Sequence, residues 1–216
     1  MSLEIKKRVI TSIILFFFLS LMYYSSFIFV YFLIILFVFS VIEFLNISNL
    51  IFKRKFFIKI FTNSLFIFYF LFIFSLLLQF SIFYNLKIIL FSILLICIVS
   101  DIGGYIFGKK IKGPKLTKIS PNKTIAGSVG SLILSSITSI VIFNFLINEI
   151  TFKTFFLGIL ISIFVQIGDL FFSYLKRQAK LKNTGNILPG HGGILDRIDG
   201  IIFGMPVGLI LFIIVH

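Results

Sequence analysis

The sequence predicts an all-α polytopic integral membrane protein of about seven transmembrane helices, within a range of about six to nine, and three observations predict it. Hydrophobic residues make up 59% and charged residues 12% of the 216, far outside the composition of water-soluble domains. The apolar residues fall into repeated runs of about 20, the length that crosses a hydrocarbon core of about 30 Å as a helix. Lysine and arginine are confined to alternate connections between those runs, as expected when cations mark the cytoplasmic side.

In chain order the spans are expected near 9–25, 27–43, 61–80, 87–107, 127–147, 154–175 and 200–215. The first two are separated only by the polar Tyr-Ser-Ser around Tyr24. No small-residue cleavage site follows the first run, which is therefore expected to stay as an anchor. The short alternating strands of a membrane barrel do not occur in the pattern. The N-terminus carries Lys6, Lys7 and Arg8, and the second connection carries Lys53, Arg54, Lys55 and Lys59. Six cations follow between Lys109 and Lys123, and five between Lys176 and Arg197. The other connections hold only Lys87 and Lys153, so 18 of 20 cations fall on one side. This places the N-terminus in the cytoplasm and the C-terminus outside. Residues 1–86 then read as N-terminal membrane helices, and 87–216 as a catalytic membrane region with cytoplasmic loops 108–126 and 176–199, together one structural domain.

The net charge of +13 is on this reading a topology signal, and no nucleic-acid partner is needed to explain it; basic loops still attract anionic lipid or nucleotide. Cys97 is the single cysteine and lies in an apolar span, which excludes an internal disulfide or a thiolate metal cluster. The 32 phenylalanines accompany abundant Ile, Lys and Asn, the bias of an A/T-rich coding sequence, and are read as lipid-facing filler.

With seven acidic residues in the chain, each can be weighed singly. Glu4 and Glu149 fall in solvated segments, and Glu43 closes the second span as an interfacial residue. Asp101 and Asp169 differ, because each lies within an apolar helix where a charge costs about 2.5–3.5 kcal/mol on insertion scales. Gln166, Asp169, Ser173, Lys176 and Lys180 recur at steps of three and four, a polar stripe on one helix face. Asp101 begins a similar series with Tyr105 and Lys109, while Ser100, Gly104 and Gly108 form a small-xxx-small face that admits a neighbouring helix.

The stretch "ILPGHGGILDRIDG", residues 187–200, concentrates the remaining polar chemistry. A glycine-rich loop running into a helix brings backbone N–H groups to a helix N-terminus, which favours an anion such as phosphate. Asp196 and Asp199 follow at i and i+3, and with Asp169 they offer the hard oxygens that Mg²⁺ takes beside substrate phosphates. Zinc is disfavoured by two histidines and one cysteine. A loop built only of turn and cap explains the glycines but gives no reason for the two carboxylates, His191 and Arg197.

These residues resemble the phosphatidate cytidylyltransferases, or CDP-diacylglycerol synthases. The family signature, S-x-hydrophobic-K-R, four residues, K-D-x-small, two residues, hydrophobic-P-x-H-G-G-hydrophobic-x-D-R-hydrophobic-D, maps without gaps onto Ser173 to Asp199. Ser173, Lys176, Arg177, Lys182, Gly185, Pro189, His191, Gly192, Gly193, Asp196, Arg197 and Asp199 are among the matching residues. The resemblance extends to "QIGDLFFS" and to "SDIGGYIFGKKIKGPKLTKISPNKTIAG", and so covers the C-terminal half. Two positions depart from it: Asn183 stands where the signature has Asp, and Ala126 where it has Glu. Asn retains an oxygen acceptor; Ala does not.

The resemblance implies attack by the phosphate oxygen of phosphatidic acid on the α-phosphorus of CTP, releasing pyrophosphate. It implies an enzyme of the bacterial inner membrane with its active site facing the cytoplasm. It makes Asp169 and Asp196 the ligands of Mg²⁺, with a second cation as an open alternative. Asp169, Asp196, Asp199, Lys176, Arg177, His191 and Arg197 are then the candidate catalytic residues. Asp101, Ser120, Lys123, Thr124, Ser173, Lys182, Gly192 and Gly193 are the candidate substrate contacts. CTP, phosphatidic acid and membrane lipids are the expected partners, and a homodimer is compatible with the sequence. The alternatives are transfer to another lipid phosphate, since nothing in the sequence reads the acyl tails, and a cation-coupled transporter, which calls for an inverted repeat that the sequence does not show. The D-G-x2-A-R-x8-G-x3-D-x3-D pattern of the CDP-alcohol phosphotransferases is also missing.

Overall fold

The computed structural model describes the chain except for residues 1–13, 15–16, 118, 122, 148–151, 186, 188–191 and 216. Within the described residues it is all α. Residues 17–24 are helical and precede six long helices: α1 (Ser26–Ile51), α2 (Phe56–Ile82), α3 (Tyr84–Ile111), α4 (Ile125–Ile147), α5 (Phe152–Gln178) and α6 (Leu195–Val215). Each of the six is long and apolar enough to cross a membrane. Of the expected span 9–25, residues 9–13, 15 and 16 lie outside the described residues, and 17–24 are helical. Extended pairing among the described residues is limited to isolated bridges, one of which joins Lys115 and Thr124, with Gly192 also in a bridge.

The helices bury only 28–44% of their most apolar windows. What remains outside is hydrocarbon: Phe27, Phe57, Phe145 and Phe152 are each more than 80% exposed. A surface of that kind is stable only in an apolar solvent, which is why the composition reads as membrane-embedded rather than globular.

Most helices run further than the apolar runs that announce them. α1 continues to Ile51 rather than ending at residue 43, α2 begins at Phe56 rather than 61, and α6 begins at Leu195 rather than 200. Polar residues at the ends of a span do not stop a helix, because their backbone groups still need partners. The breaks are set by local caps instead. Ser25 is extended and its hydroxyl accepts from Ile28 N–H at 3.4 Å, starting α1. α5 ends in a Schellman motif, with Leu181 N–H donating to Lys176 C=O at 2.8 Å and Lys180 N–H to Arg177 C=O at 3.1 Å. Lys180 takes the left-handed position at φ 56°, so the expected polar stripe of α5 stops at Lys176 and Lys180 leaves it.

The chain divides into two compact units. The first comprises residues 1–87 and 175–198. In it α1 packs against α2 through aromatic side chains, with Phe44 and Phe66 stacked at 3.6 Å between centroids and Phe37 tilted against Phe70 and Phe74. Lys87, almost fully buried, donates to Ser26 Oγ at 3.4 Å and stands 5.9 Å from the centre of the Phe29 ring.

The second unit comprises residues 88–174 and 199–216, and its packing rests on small residues. A Cβ on Gly127 would lie 2.7 Å from Gly104 O, and one on Gly103 would lie 2.8 Å from Gly130 O, so α3 and α4 approach backbone to backbone. The expected face of Ser100, Gly104 and Gly108 is used as read: Gly104 and Gly108 meet α4, and Ser100 Oγ bonds Ser162 Oγ of α5 at 2.7 Å. Gly158 packs on Ser135, Ser136 and Ser139, while Gly204 and Gly208 admit Val165, Ile161 and Ile93.

Candidate active site

In the second unit, the connection from α3 to α4 folds back as a short hairpin. Leu116 N–H donates to Lys123 C=O at 2.8 Å, Lys123 N–H to Ser120 C=O at 3.1 Å, and Ile125 N–H to Pro114 C=O at 3.0 Å. Lys112 at φ 58° and Gly113 at φ 97° make the sharp exit from α3. Thr124 starts α4, its hydroxyl accepting from Gly127 N–H at 3.1 Å. Of the candidates named in this stretch, Thr124 is thus a helix cap, and Ser120 shapes the turn that carries Lys123.

The hairpin delivers Lys123 to Asp169 of α5, with Nζ 2.6 Å from Oδ2. This ion pair offsets the cost of the acid. Around it lies a cleft of about 250 Å³ lined by Asp101, Tyr105, Lys123, Thr124, Gln166 and Asp169 among others. Asp101 lies within electrostatic reach of both Asp169 and Lys123. Deeper in α5, Gln166 donates to Ser128 C=O and to Ser162 Oγ, both at 3.3 Å, and accepts from the Ser128 hydroxyl. Gln166 is therefore a packing residue, and the chemically available part of the stripe begins at Asp169. Ser173, one turn further, is half-buried.

In the first unit, the loop from α5 to α6 folds about Asp196. Lys176 Nζ lies 2.7 Å from Asp196 Oδ1, and Asp196 Oδ2 accepts from Thr184 N–H at 2.8 Å and Gly193 N–H at 3.1 Å. The bond from Gly193, three residues back, is the carboxylate half of a capping box on α6; a glycine has no side chain to return the other half. Side-chain exposure is 13% for Lys176 and 9% for Asp196, against 30% and 22% for the Lys123–Asp169 pair, so the former pair is the less screened. Gly192 has φ 85°, a backbone that L side chains rarely adopt. Arg177, Lys182, Asn183 and Arg197 are exposed. Asp199 Oδ1 accepts from Gly200 N–H at 3.0 Å in the second unit. His191 lies outside the described residues.

The residue that sequence reasoning missed is Glu43. It is 2% exposed, and its carboxylate accepts from Thr184 Oγ1 at 2.7 Å, Ile194 N–H at 2.9 Å and Leu195 N–H at 2.9 Å. At the N-terminus of α6 the N–H groups of Gly193, Ile194 and Leu195 are taken by the chain's own carboxylates, Asp196 and Glu43. The signal that could have found Glu43 is the one used for Asp101: an acid inside an apolar helix has an insertion cost that needs a partner.

The donor chemistry suits a hard cation. Asp101 and Asp169 both line the cleft, and Mg²⁺ takes oxygen ligands. At Asp196 one oxygen is committed to two backbone N–H groups and the other faces an ammonium, so a cation there competes with Lys176 and not with the loop. Among the described residues no group of three or more His, Cys, Asp or Glu forms a ready-made metal cage; Mg²⁺ held by one or two carboxylates fills its shell with waters or phosphate oxygens.

The family model described as the cytidylyltransferase family matches residues 3–215. The chain is 45% identical over 131 residues to the phosphatidate cytidylyltransferase of Staphylococcus saprophyticus, covering 60% of this chain and 50% of that protein. The values for the Staphylococcus haemolyticus protein of the same name are also 45% and 131 residues. The phosphatidate cytidylyltransferase of Helicobacter pylori is 38% identical over 112 residues, 52% of this chain and 42% of the relative. The chain spans about half the length of the curated relatives it matches.

Proposed function

The chain belongs to the cytidylyltransferase family, and from that premise we propose that it transfers the cytidylyl group of CTP to phosphatidic acid, giving CDP-diacylglycerol and pyrophosphate. The observation that carries this reading is the fold of the signature loop around Asp196. The gap-free signature of Ser173–Asp199 is organised so that its lysine, Lys176, is 2.7 Å from its aspartate and its other cations, Arg177, Lys182 and Arg197, face outward.

The phosphate of phosphatidic acid is already an anionic nucleophile near neutral pH, so no general base is required. Its oxygen forms a bond to the α-phosphorus of CTP, and the bond from that phosphorus to the bridging oxygen of the β-phosphate breaks, with pyrophosphate leaving as an anion. Catalysis is then positioning and charge neutralisation. Arg177, Lys182 and Arg197 hold phosphate oxygens, the arginines bidentately. Lys176 and Lys123 neutralise charge beside their aspartates. His191 is proposed as a phosphate contact. Asp169 and Asp196 are proposed as ligands of Mg²⁺, which when bound supplies charge neutralisation at the triphosphate. Asp101 and Asp199 are proposed to support substrate and metal from their own positions.

The proposal includes the finer topology: seven spans, the N-terminus and the basic loops in the cytoplasm, and residence in a bacterial inner membrane. Its test is an assay of membranes containing the chain with labelled CTP, Mg²⁺ and a panel of lipid phosphates. Labelled CDP-diacylglycerol formed from phosphatidic acid supports it; labelling of a different lipid phosphate alone, or none, refutes it.

A further inference from the structure

Glu43 belongs to α1, outside the signature, and reaches residues 141, 151 and 152 positions away in sequence. It is almost completely buried, and among the described residues no cation stands within ion-pair distance of it. Its stability comes from three hydrogen bonds and from the positive end of α6.

The loop is gripped from two sides. Thr184 gives its backbone N–H to Asp196 at 2.8 Å and its hydroxyl to Glu43 at 2.7 Å. Of three consecutive backbone N–H groups, that of Gly193 goes to Asp196 and those of Ile194 and Leu195 go to Glu43. Two signature glycines are explained by the same carboxylate. A Cβ on Gly185 would lie 2.5 Å from Glu43 Oε1, and one on Gly193 would lie 2.5 Å from Glu43 Oε2. A helix N-terminus is ordinarily capped by a local Ser, Thr or Asp. Recruiting a buried acid from a distant helix does more than cap, because it fixes both strands of the loop that present Asp196 and Lys176.

The geometry points to Glu43 as a positioning residue for cytidylyl transfer: it acts through Thr184 and the Gly193–Leu195 turn to hold Asp196, and it touches no substrate. This rests on the function proposed above. The full chain in nanodiscs, with Glu43→Gln, Thr184→Val and Thr184→Ser, provides the test, read by backbone amide exchange and by steady-state kinetics. Glu43→Gln replaces one acceptor by a donor that faces an N–H. The expected result is exchange at Ile194 and Leu195 at least about tenfold faster with protection along α2 unchanged. Glu43→Gln and Thr184→Val should each lower kcat by at least about tenfold while the KM for CTP stays within about threefold. Thr184→Ser, which keeps the hydroxyl, should recover most of what Thr184→Val loses.

Unchanged exchange at Ile194 and Leu195, or near wild-type kcat in both Glu43→Gln and Thr184→Val, overturns the proposal. Protection lost throughout α2 in both variants overturns it as well, by showing a folding role. A wild-type chain that forms no CDP-lipid while the exchange difference persists refutes the proposed function and still supports the grip of Glu43 on the loop.

Discussion

Lys176 Nζ lies 2.7 Å from Asp196 Oδ1, closing a span of twenty residues that contains the whole polar loop. At 9–13% exposure the pair is shielded from water and salt, and such a pair is sensitive to loss of either charge. Asp196→Asn keeps the shape and loses the charge. We expect it to lower Mg²⁺-dependent transfer from CTP to phosphatidic acid by at least about a hundredfold, with normal membrane insertion. Asp169→Asn, which leaves Lys123 without its partner, should do the same, while Glu149→Gln should be silent. The measurement is turnover at saturating Mg²⁺ on equal amounts of protein; near-normal rates in both aspartate variants would make these acids purely structural.

Topology is tested by single cysteines. Asn183 is exposed, whereas Cys97 has no exposed surface, so the native thiol should be silent even before it is removed. Asn183→Cys in a Cys97→Ser background is expected to react with a membrane-impermeant thiol reagent from the cytoplasmic side only, and Asn148→Cys from the opposite side only. Labelling of both from one side contradicts the charge alternation.

Asn183→Asp restores the acid of the family signature in a solvated loop. Its side chain sits close to Gly192, a Cβ on which would be 3.3 Å from Asn183 Cγ. The same Cβ would lie 2.9 Å from Asp196 Oδ2, so the added charge comes near Asp196; Lys176 already pairs with that carboxylate and residue 183 is exposed, so turnover should change by less than about threefold. A wild-type chain with no turnover that this one change rescues would show that the departure had disabled the enzyme.

Two glycines should both lose stability on change to alanine, and one of them alone should lose turnover. Gly113 has φ 97°, and an added methyl there would meet nothing within 4 Å, so Gly113→Ala should cost about 1–2 kcal/mol of strain and leave turnover measurable. Gly193→Ala drives a methyl into Glu43 and Thr184, and we expect loss of both thermal stability and at least about nine-tenths of turnover. Melting temperature and kcat on the two variants decide it.

The helices were legible because apolar runs of membrane length have one stable backbone solution. Their ends were not, since hydropathy stops where the side chains turn polar, whereas the backbone stops at a cap such as Ser25 or the Schellman turn at Lys180. The Asp196 loop was legible as a site through its residue types. Its internal bonding was not: the glycine pattern suggests open N–H groups, and only the tertiary fold reveals that Asp196 and Glu43 take those of Gly193, Ile194 and Leu195. Glu43 itself was hidden by the helix boundary. With span 27–43 it sits at the water interface; with α1 running to Ile51 it lies well inside.

The packing of Glu43 and Thr184 against Gly193, and of Glu43 against Gly185, also makes these four positions a steric set. A chain that enlarges residue 193 has to shorten residues 43 and 184 together, and a chain that replaces the glutamate with a small residue opens a polar void that a larger side chain at 185 can occupy. Substitutions in the signature loop and in a membrane helix some 150 positions earlier in the sequence should therefore be accepted by selection together, so that a library varying residues 185 and 193 alone would return almost only glycine at both, while one that also varies residues 43 and 184 would not.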